Sequence, residues 1–271
     1  MAPYMIHTSF QHELYQLNVP PVPNNYRQTH STAASTINTD APRALETEDE
    51  EPIIVLARNS LWNIRANSRL RERIPQNEGT HSLRTEADVL DASRLYLLHP
   101  VNVAVNELLK NGRLECRREH VASSTSRTDI LWVHIHNDQT TNIAVLEFKN
   151  AFILRKADFS PAMVNASEAE RALAKTFATN TETLLTGNAY WLSKQAVKYH
   201  EELQTADVAI FDWNNMVVFD FSGMSETPNN PKLARAIWFS EAGKNHNQHQ
   251  TFRALLLGFL IRALRRSNLV N

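Results

Sequence analysis

At 271 residues the chain has room for one large domain or two small ones, and it can bury a sizeable core. Its 28 Lys and Arg stand against 29 Asp and Glu, so the net charge of −1 gives no global attraction to nucleic acid and any basic surface has to be local. One cysteine, Cys116, excludes an intramolecular disulfide. With no leader-like apolar opening, and with the longest apolar run (Ala254–Ile261) too short to span a bilayer, the expectation is a soluble intracellular protein, nuclear or cytoplasmic.

Residues 1–51 read as a disordered or loosely docked N-terminal tail. Pro20-Pro21-Val22-Pro23 and the stretch 29–36 are polar and aperiodic, and the acidic run Glu46 to Glu51 reads as a solvated linker ahead of a helix. Residues 52–271 read as one domain. It opens with a helix at Pro52 that continues through Leu61, Ile64 and Leu70. Ala87, Leu90, Ala92, Leu95 and Leu98 form the stripe of a second helix over 86–98; Pro100 is expected to break it, and 101–110 makes a third. Strand-like runs follow at 114–121, 129–136 and 142–149, then a long helical stretch over 161–203. Strands at 208–213 and 216–221 flank Asn214-Asn215, and a strand at 236–240 precedes an amphipathic helix over 251–266. This order predicts an α/β fold, a mixed central β-sheet flanked by α-helices.

The strands at 129–136 and 142–149 carry charges where packing favours apolar side chains. Residues two apart on a strand share a face, so Asp129 groups with Leu131 and Val133, and Glu147 with Val145 and Lys149. A turn around 137–141 with an odd number of loop residues puts Asp129 and Glu147 on one face at one open end. Two converging carboxylates can hold a hard divalent cation such as Mg²⁺, and Lys149 beside them can stabilise charge on a phosphoryl oxygen. A salt-bridged sheet edge, with Lys149 paired to Glu147 or Asp129, satisfies the same pattern. Further on, Gln195 and Tyr199 stand four apart in a helical run and share a face.

With Asp129, Glu147-Phe148-Lys149 and Gln195-x-x-x-Tyr199 in that order, residues 80–221 resemble the PD-(D/E)xK nuclease superfamily, specifically its RecB-type branch. Thr128 stands where the name-giving proline would be. The resemblance implies a restriction-endonuclease-like core and hydrolysis of nucleic-acid phosphodiesters, DNA being the expected partner, with Mg²⁺ or Mn²⁺ as cofactor. It implies that Asp129, Glu147 and the Phe148 carbonyl are metal ligands and that Lys149 is catalytic. Gln195 and Tyr199 would orient the lysine or the attacking water and touch the nucleic-acid backbone. Glu86, at a helix start, is the first choice for the remaining acid, and Glu107 is its rival. Phosphate contacts are expected from Arg113, Arg117, Arg118, Arg127, Arg155 and Lys156. A nuclease-fold module without catalysis, binding nucleic acid or a protein partner, fits the near-zero charge.

Other signals read as structural. His134-x-His136, with Cys116 and His120, matches no zinc spacing. Arg253, Arg262, Arg265 and Arg266 suit a helix C-terminus or a phosphate-binding stripe. The five tryptophans are scattered, which suits core packing better than base stacking.

Overall fold

The computed structural model describes residues 4–19, 36, 39–75, 81–123, 126–224 and 233–270. In chain order come α1 (Ile6–Ser9), β1 (Ala44–Thr47), α2 (Glu51–Ile64), α3 (Glu86–Ser93) and α4 (His99–Asn106). A meander of β2 (Arg113–Ser123), β3 (Ser126–His136) and β4 (Gln139–Phe148) follows. Then come α5 (Lys156–Phe159), β5 (Met163–Val164), α6 (Ala169–Ala178) and α7 (Gly187–Leu203). The chain ends with β6 (Asp207–Phe211), β7 (Met216–Asp220), β8 (Leu233–Phe239) and α8 (Phe252–Arg266).

The eight strands among the described residues join one mixed sheet in the order β2-β3-β4-β6-β7-β8-β1-β5. β4 and β6 are parallel, with α7 in the crossover between them; β6, β7 and β8 are antiparallel neighbours. Alternate residues of each central strand feed separate cores. Ile130, Trp132, Ala144, Leu146 and Phe148 pack with α2, α4 and α8, whereas Leu131, Val133 and Val145 pack with α7. α8 lies so close to α2 that a Cβ on Gly258 would sit 2.1 Å from the Ile53 carbonyl oxygen. Among the described residues no helix is long and apolar enough to cross a membrane.

The sheet and its flanking helices match the expected fold class, but several local expectations are corrected. The described parts of residues 1–51 belong to the same core as the rest. Ile6, Phe10 and Leu14 are buried, and β1 pairs in parallel with β8 and β5. The acidic run is not a solvated linker: Glu46 lies in β1, Glu48 meets Arg235 and Arg262, and Glu50 pairs with Lys244. The polar segments at 20–23 and 29–35 lie outside the described residues. Pro100 does not break its helix, because a π-helical turn over Arg94–Leu98 carries α3 into α4. Pro100 has no N–H for the Tyr96 carbonyl four residues back, and Arg253 Nε donates to that carbonyl at 2.6 Å. Leu70 sits in a separate 3₁₀ turn, and the stretch 161–203 divides into β5, α6 and α7. α7 begins at Gly187, where φ is +50° and a Cβ would meet the Asp158 carboxylate at 2.9 Å.

Three of the four C-terminal arginines are engaged within the fold, while Arg265 is exposed in the last turn of α8. Arg262 and Arg266 pair with Asp207 and Asp220 at one end of β6 and β7, joined there by Arg235 and Glu48. Arg253 is 1% exposed and holds backbone carbonyls.

Candidate active site

The convergence of Asp129 and Glu147 depends on one extra residue. The β3–β4 turn is a two-residue loop, Asn137-Asp138, both at positive φ, and not the odd-numbered loop anticipated above. An even loop alone would place Asp129 and Glu147 on opposite faces. The register shifts between Trp132↔Ala144 and Val133↔Asn142, leaving Ile143 as an inserted bulge residue. From there to the strand ends the odd-numbered residues of β3 and β4 share a face. Phe148 N–H donates to Asp129 Oδ2 at 2.7 Å, and Lys149 N–H extends the β4–β6 ladder to the Phe211 carbonyl at 2.9 Å.

Glu86 arrives from a third element. Thr85 and Asp88 form a reciprocal capping box, with Thr85 N–H donating to Asp88 Oδ2 at 2.8 Å and Asp88 N–H to Thr85 Oγ1 at 3.3 Å. That fixes Glu86 as the first residue of α3. Oxygen atoms of Glu86, Asp129 and Glu147 all lie within 4.8 Å of one another. The rival acid points elsewhere: Glu107 accepts from Asn67 and from Arg69 at 3.3 Å.

Glu147 is the hub. At 4% exposure it accepts from Lys149 Nζ at 2.5 Å and Gln195 Nε2 at 2.8 Å, both on Oε1. Tyr199 OH lies 2.9 Å from Glu147 Oε2 and 3.0 Å from the Arg127 carbonyl. Gln195 Nε2 also reaches the Tyr199 oxygen at 2.5 Å. Lys149 Nζ lies 3.7 Å from Glu86 Oε2, so this ammonium sits between two carboxylates. All five residues read from the motifs, together with Glu86, are thus brought together.

The electrostatics follow from burial and like charge. Burial and then Glu147 push the Asp129 carboxyl up to about 7. Burial likewise raises Glu86, against the pull of Lys149. Burial alone would lower Lys149, but the carboxylates of Glu147 and Glu86 outweigh it and raise the ammonium above its ordinary value. The Tyr199 phenol is pushed well up by burial and by Glu147, and stays a neutral donor.

The basic residues are divided. Arg117, opposite Leu131, shares the site's face of the sheet but pairs with Glu115 at 3.3 Å. Arg118, opposite Ile130, lies on the other face near Asp91 at 4.0 Å. Arg113 also pairs with Glu115. Arg127 is exposed two residues before Asp129, and Arg155 and Lys156 are exposed where α5 packs against α7. His134 is buried on the opposite face, with Nε2 2.8 Å from the Asn111 carbonyl oxygen. Burial raises the Cys116 thiol.

Sequence reasoning passed over Lys194. It is 7% exposed and immediately precedes Gln195, with its Nζ 5.3 Å from the Tyr190 ring centroid and 5.5 Å from that of Trp191. The signal was present, since Tyr190 and Lys194 stand four apart in this helical run, beside the stripe of Trp191, Gln195 and Tyr199. Comparison with models of known protein families and with curated proteins returned no match for this chain.

Proposed function

We propose that this protein is a divalent-cation-dependent phosphodiesterase acting on nucleic acid, with DNA the favoured substrate and a restriction-endonuclease-like core. The observation that carries this reading is the meeting of Glu86, Asp129 and Glu147 within 4.8 Å beside the buried ammonium of Lys149. Three carboxylates against one close cation leave excess negative charge, and the Asp129 carboxyl is raised by burial first and by Glu147 second. An all-oxygen donor set of this kind suits Mg²⁺ or Mn²⁺. Glu86, Asp129, Glu147 and the Phe148 carbonyl would hold the cation, which supplies Lewis-acid activation of water and neutralises charge on the phosphoryl group.

The chain's own residues do the rest. Lys149 is an ammonium and so cannot accept the proton of the attacking water; it donates to a non-bridging phosphoryl oxygen as charge develops there. Gln195 and Tyr199 hold the Glu147 carboxylate in one orientation. Arg127, Arg155 and Lys156 are the exposed cations for phosphates flanking the reacting one.

Purified chain is incubated with Mg²⁺ or Mn²⁺ and single-stranded DNA, duplex DNA or RNA, beside Glu147→Ala and Lys149→Ala. Cleavage that both substitutions abolish is the expected result, and equal cleavage by both variants overturns the site. A second reading, a non-catalytic module binding nucleic acid or a protein partner, draws on the neutralisation of Arg117 and Arg118 by Glu115 and Asp91. It gains if no substrate is cut and no metal shifts the melting temperature.

A further inference from the structure

The β4–α7–β6 crossover orients α7 relative to the carboxylates. β4 and β6 are parallel, and the C-terminal end of α7 lies by the start of β4, where Asn142 Nδ2 donates to the Leu203 carbonyl at 3.0 Å. The N-terminal half of α7 therefore extends past Glu147 toward the open end of the site. Trp191 lies one helical turn, about 5.4 Å, beyond Gln195 on the same stripe.

Three features there go beyond core packing. Tyr190 and Trp191 are both partly exposed, and their rings meet edge-on at 4.8 Å. Lys194 has its stem buried and its ammonium against both rings, with no carboxylate paired to it among the described residues. One turn on, Lys198 has Glu202 at 3.5 Å. The ammonium thus has ring faces but no carboxylate to neutralise it, which leaves its charge available to an incoming anion. By contrast Trp132 and Trp213 are buried in the core, as expected of the tryptophans, whereas Trp62 is exposed and departs from that expectation.

We propose that Tyr190, Trp191 and Lys194 form a subsite for single-stranded nucleic acid, Trp191 stacking on one unpaired base next to the reacting phosphodiester while Lys194 binds the adjoining phosphate. The subsite rests on the phosphodiesterase reading for its place in a reaction, but it makes its own claim about binding. An exposed ring can take any base face, and only an unpaired strand offers one. Lys194 reaches the backbone as a point charge. The preference is thus for single strands over duplex, with little sequence dependence.

Binding is measured by fluorescence anisotropy with labelled single strands and the matching duplex, in Ca²⁺ in place of Mg²⁺. Trp191→Ala should weaken single-strand binding roughly tenfold or more, with Trp191→Phe retaining most of it. An abasic residue in the strand should erase the difference between Trp191→Ala and the unmodified protein. Lys194→Gln should lower the slope of log K against log salt by about 0.7, and Lys194→Arg should restore it; a purely structural lysine would leave the slope unchanged. Unaltered affinity in Trp191→Ala, or an unaltered slope in Lys194→Gln, overturns the subsite. If cleavage needs Glu147 and Lys149 while binding ignores Trp191, only the subsite falls. If Trp191-dependent binding occurs without any cleavage in Mg²⁺, the subsite stands and the phosphodiesterase reading falls.

Discussion

Thr205 Oγ1 donates a 2.6 Å hydrogen bond to the carbonyl of Ile143, the residue inserted at the β4 bulge. Thr205 is 3% exposed and lies at the turn from α7 into β6, so the crossover that brings Gln195 and Tyr199 to the site also pins the bulge that aligns Asp129 with Glu147. Thr205→Val leaves that buried carbonyl without its donor at almost unchanged volume. It should cost about 1–3 kcal/mol and lower cleavage along with the melting temperature, while Thr205→Ser keeps both. Thermal melts and initial rates of the two variants check this, and equal behaviour of Val and Ser would remove the bulge clamp from the account.

Much of the site was legible because its determinants are local. Alternation placed Glu147 and Lys149 on one face, a four-residue interval placed Gln195 and Tyr199 together, and the helical stripe from residue 86 put Glu86 at a helix start. The facing of Asp129 and Glu147 was anticipated through a wrong cause. An odd loop and an even loop with a bulge have the same parity consequence, and nothing in the run Asn142-Ile143-Ala144 distinguishes them. Residues 4–19 and 44–47 were missed because what orders them is remote. Leu14 N–H is held by Glu241 and the Phe10 carbonyl by Thr251, more than two hundred positions away. β1 and β5 are too short to announce themselves: β1 exists as the parallel neighbour of β8, and β5 as the parallel neighbour of β1.

The raised Asp129 carboxyl makes metal response depend on pH. Its folded value of about 7 lies above the unfolded value near 3.9, so its stabilising contribution is complete below about pH 4 and is lost as pH rises through about 7. Added Mg²⁺ offsets a repulsion present only when Asp129 is ionised, so the Mg²⁺-induced rise in melting temperature should be larger at pH 8 than at pH 5.5. Asp129→Asn should melt higher than the unmodified chain at pH 8 in EDTA, by less near pH 5 and least below about pH 4, and lose the Mg²⁺ response. A Mg²⁺ shift equal at both pH values would contradict this.

Glu86 and Glu107 separate by their partners. Glu86 faces Lys149 and the two site carboxylates, whereas Glu107 braces Asn67 and the half-exposed Arg69. Glu86→Gln should reduce both the Mg²⁺-induced thermal shift and cleavage by a factor on the order of 10–100, the loss typical when a metal site loses support. Glu107→Gln should cost up to about 1 kcal/mol of stability and leave both readouts alone. Calorimetric metal titration of the two variants decides between them, and a lost metal response in Glu107→Gln would reverse the assignment.

Arg253 makes the N-terminal segment indispensable. Its guanidinium is 1% exposed and donates to the carbonyls of Tyr96 at 2.6 Å, Ser9 at 3.0 Å and His12 at 2.8 Å. Burial pulls it down to about 10, opposed by Glu241, which also accepts from the Leu14 and Phe252 N–H groups. Deleting residues 1–19 removes two of these carbonyls, frees one oxygen of Glu241, and uncovers the places of Ile6, Phe10 and Leu14. At roughly 1.5–3 kcal/mol for each large apolar side chain, with an under-solvated buried cation added, the loss rivals the whole stability of a typical domain. The shortened chain should therefore be largely unfolded by circular dichroism at room temperature. Arg253→Met, which keeps the packing but strips the carbonyls of their donor, should fold and melt several degrees lower. A shortened chain that melts with the full one would show that the segment merely rests on the surface.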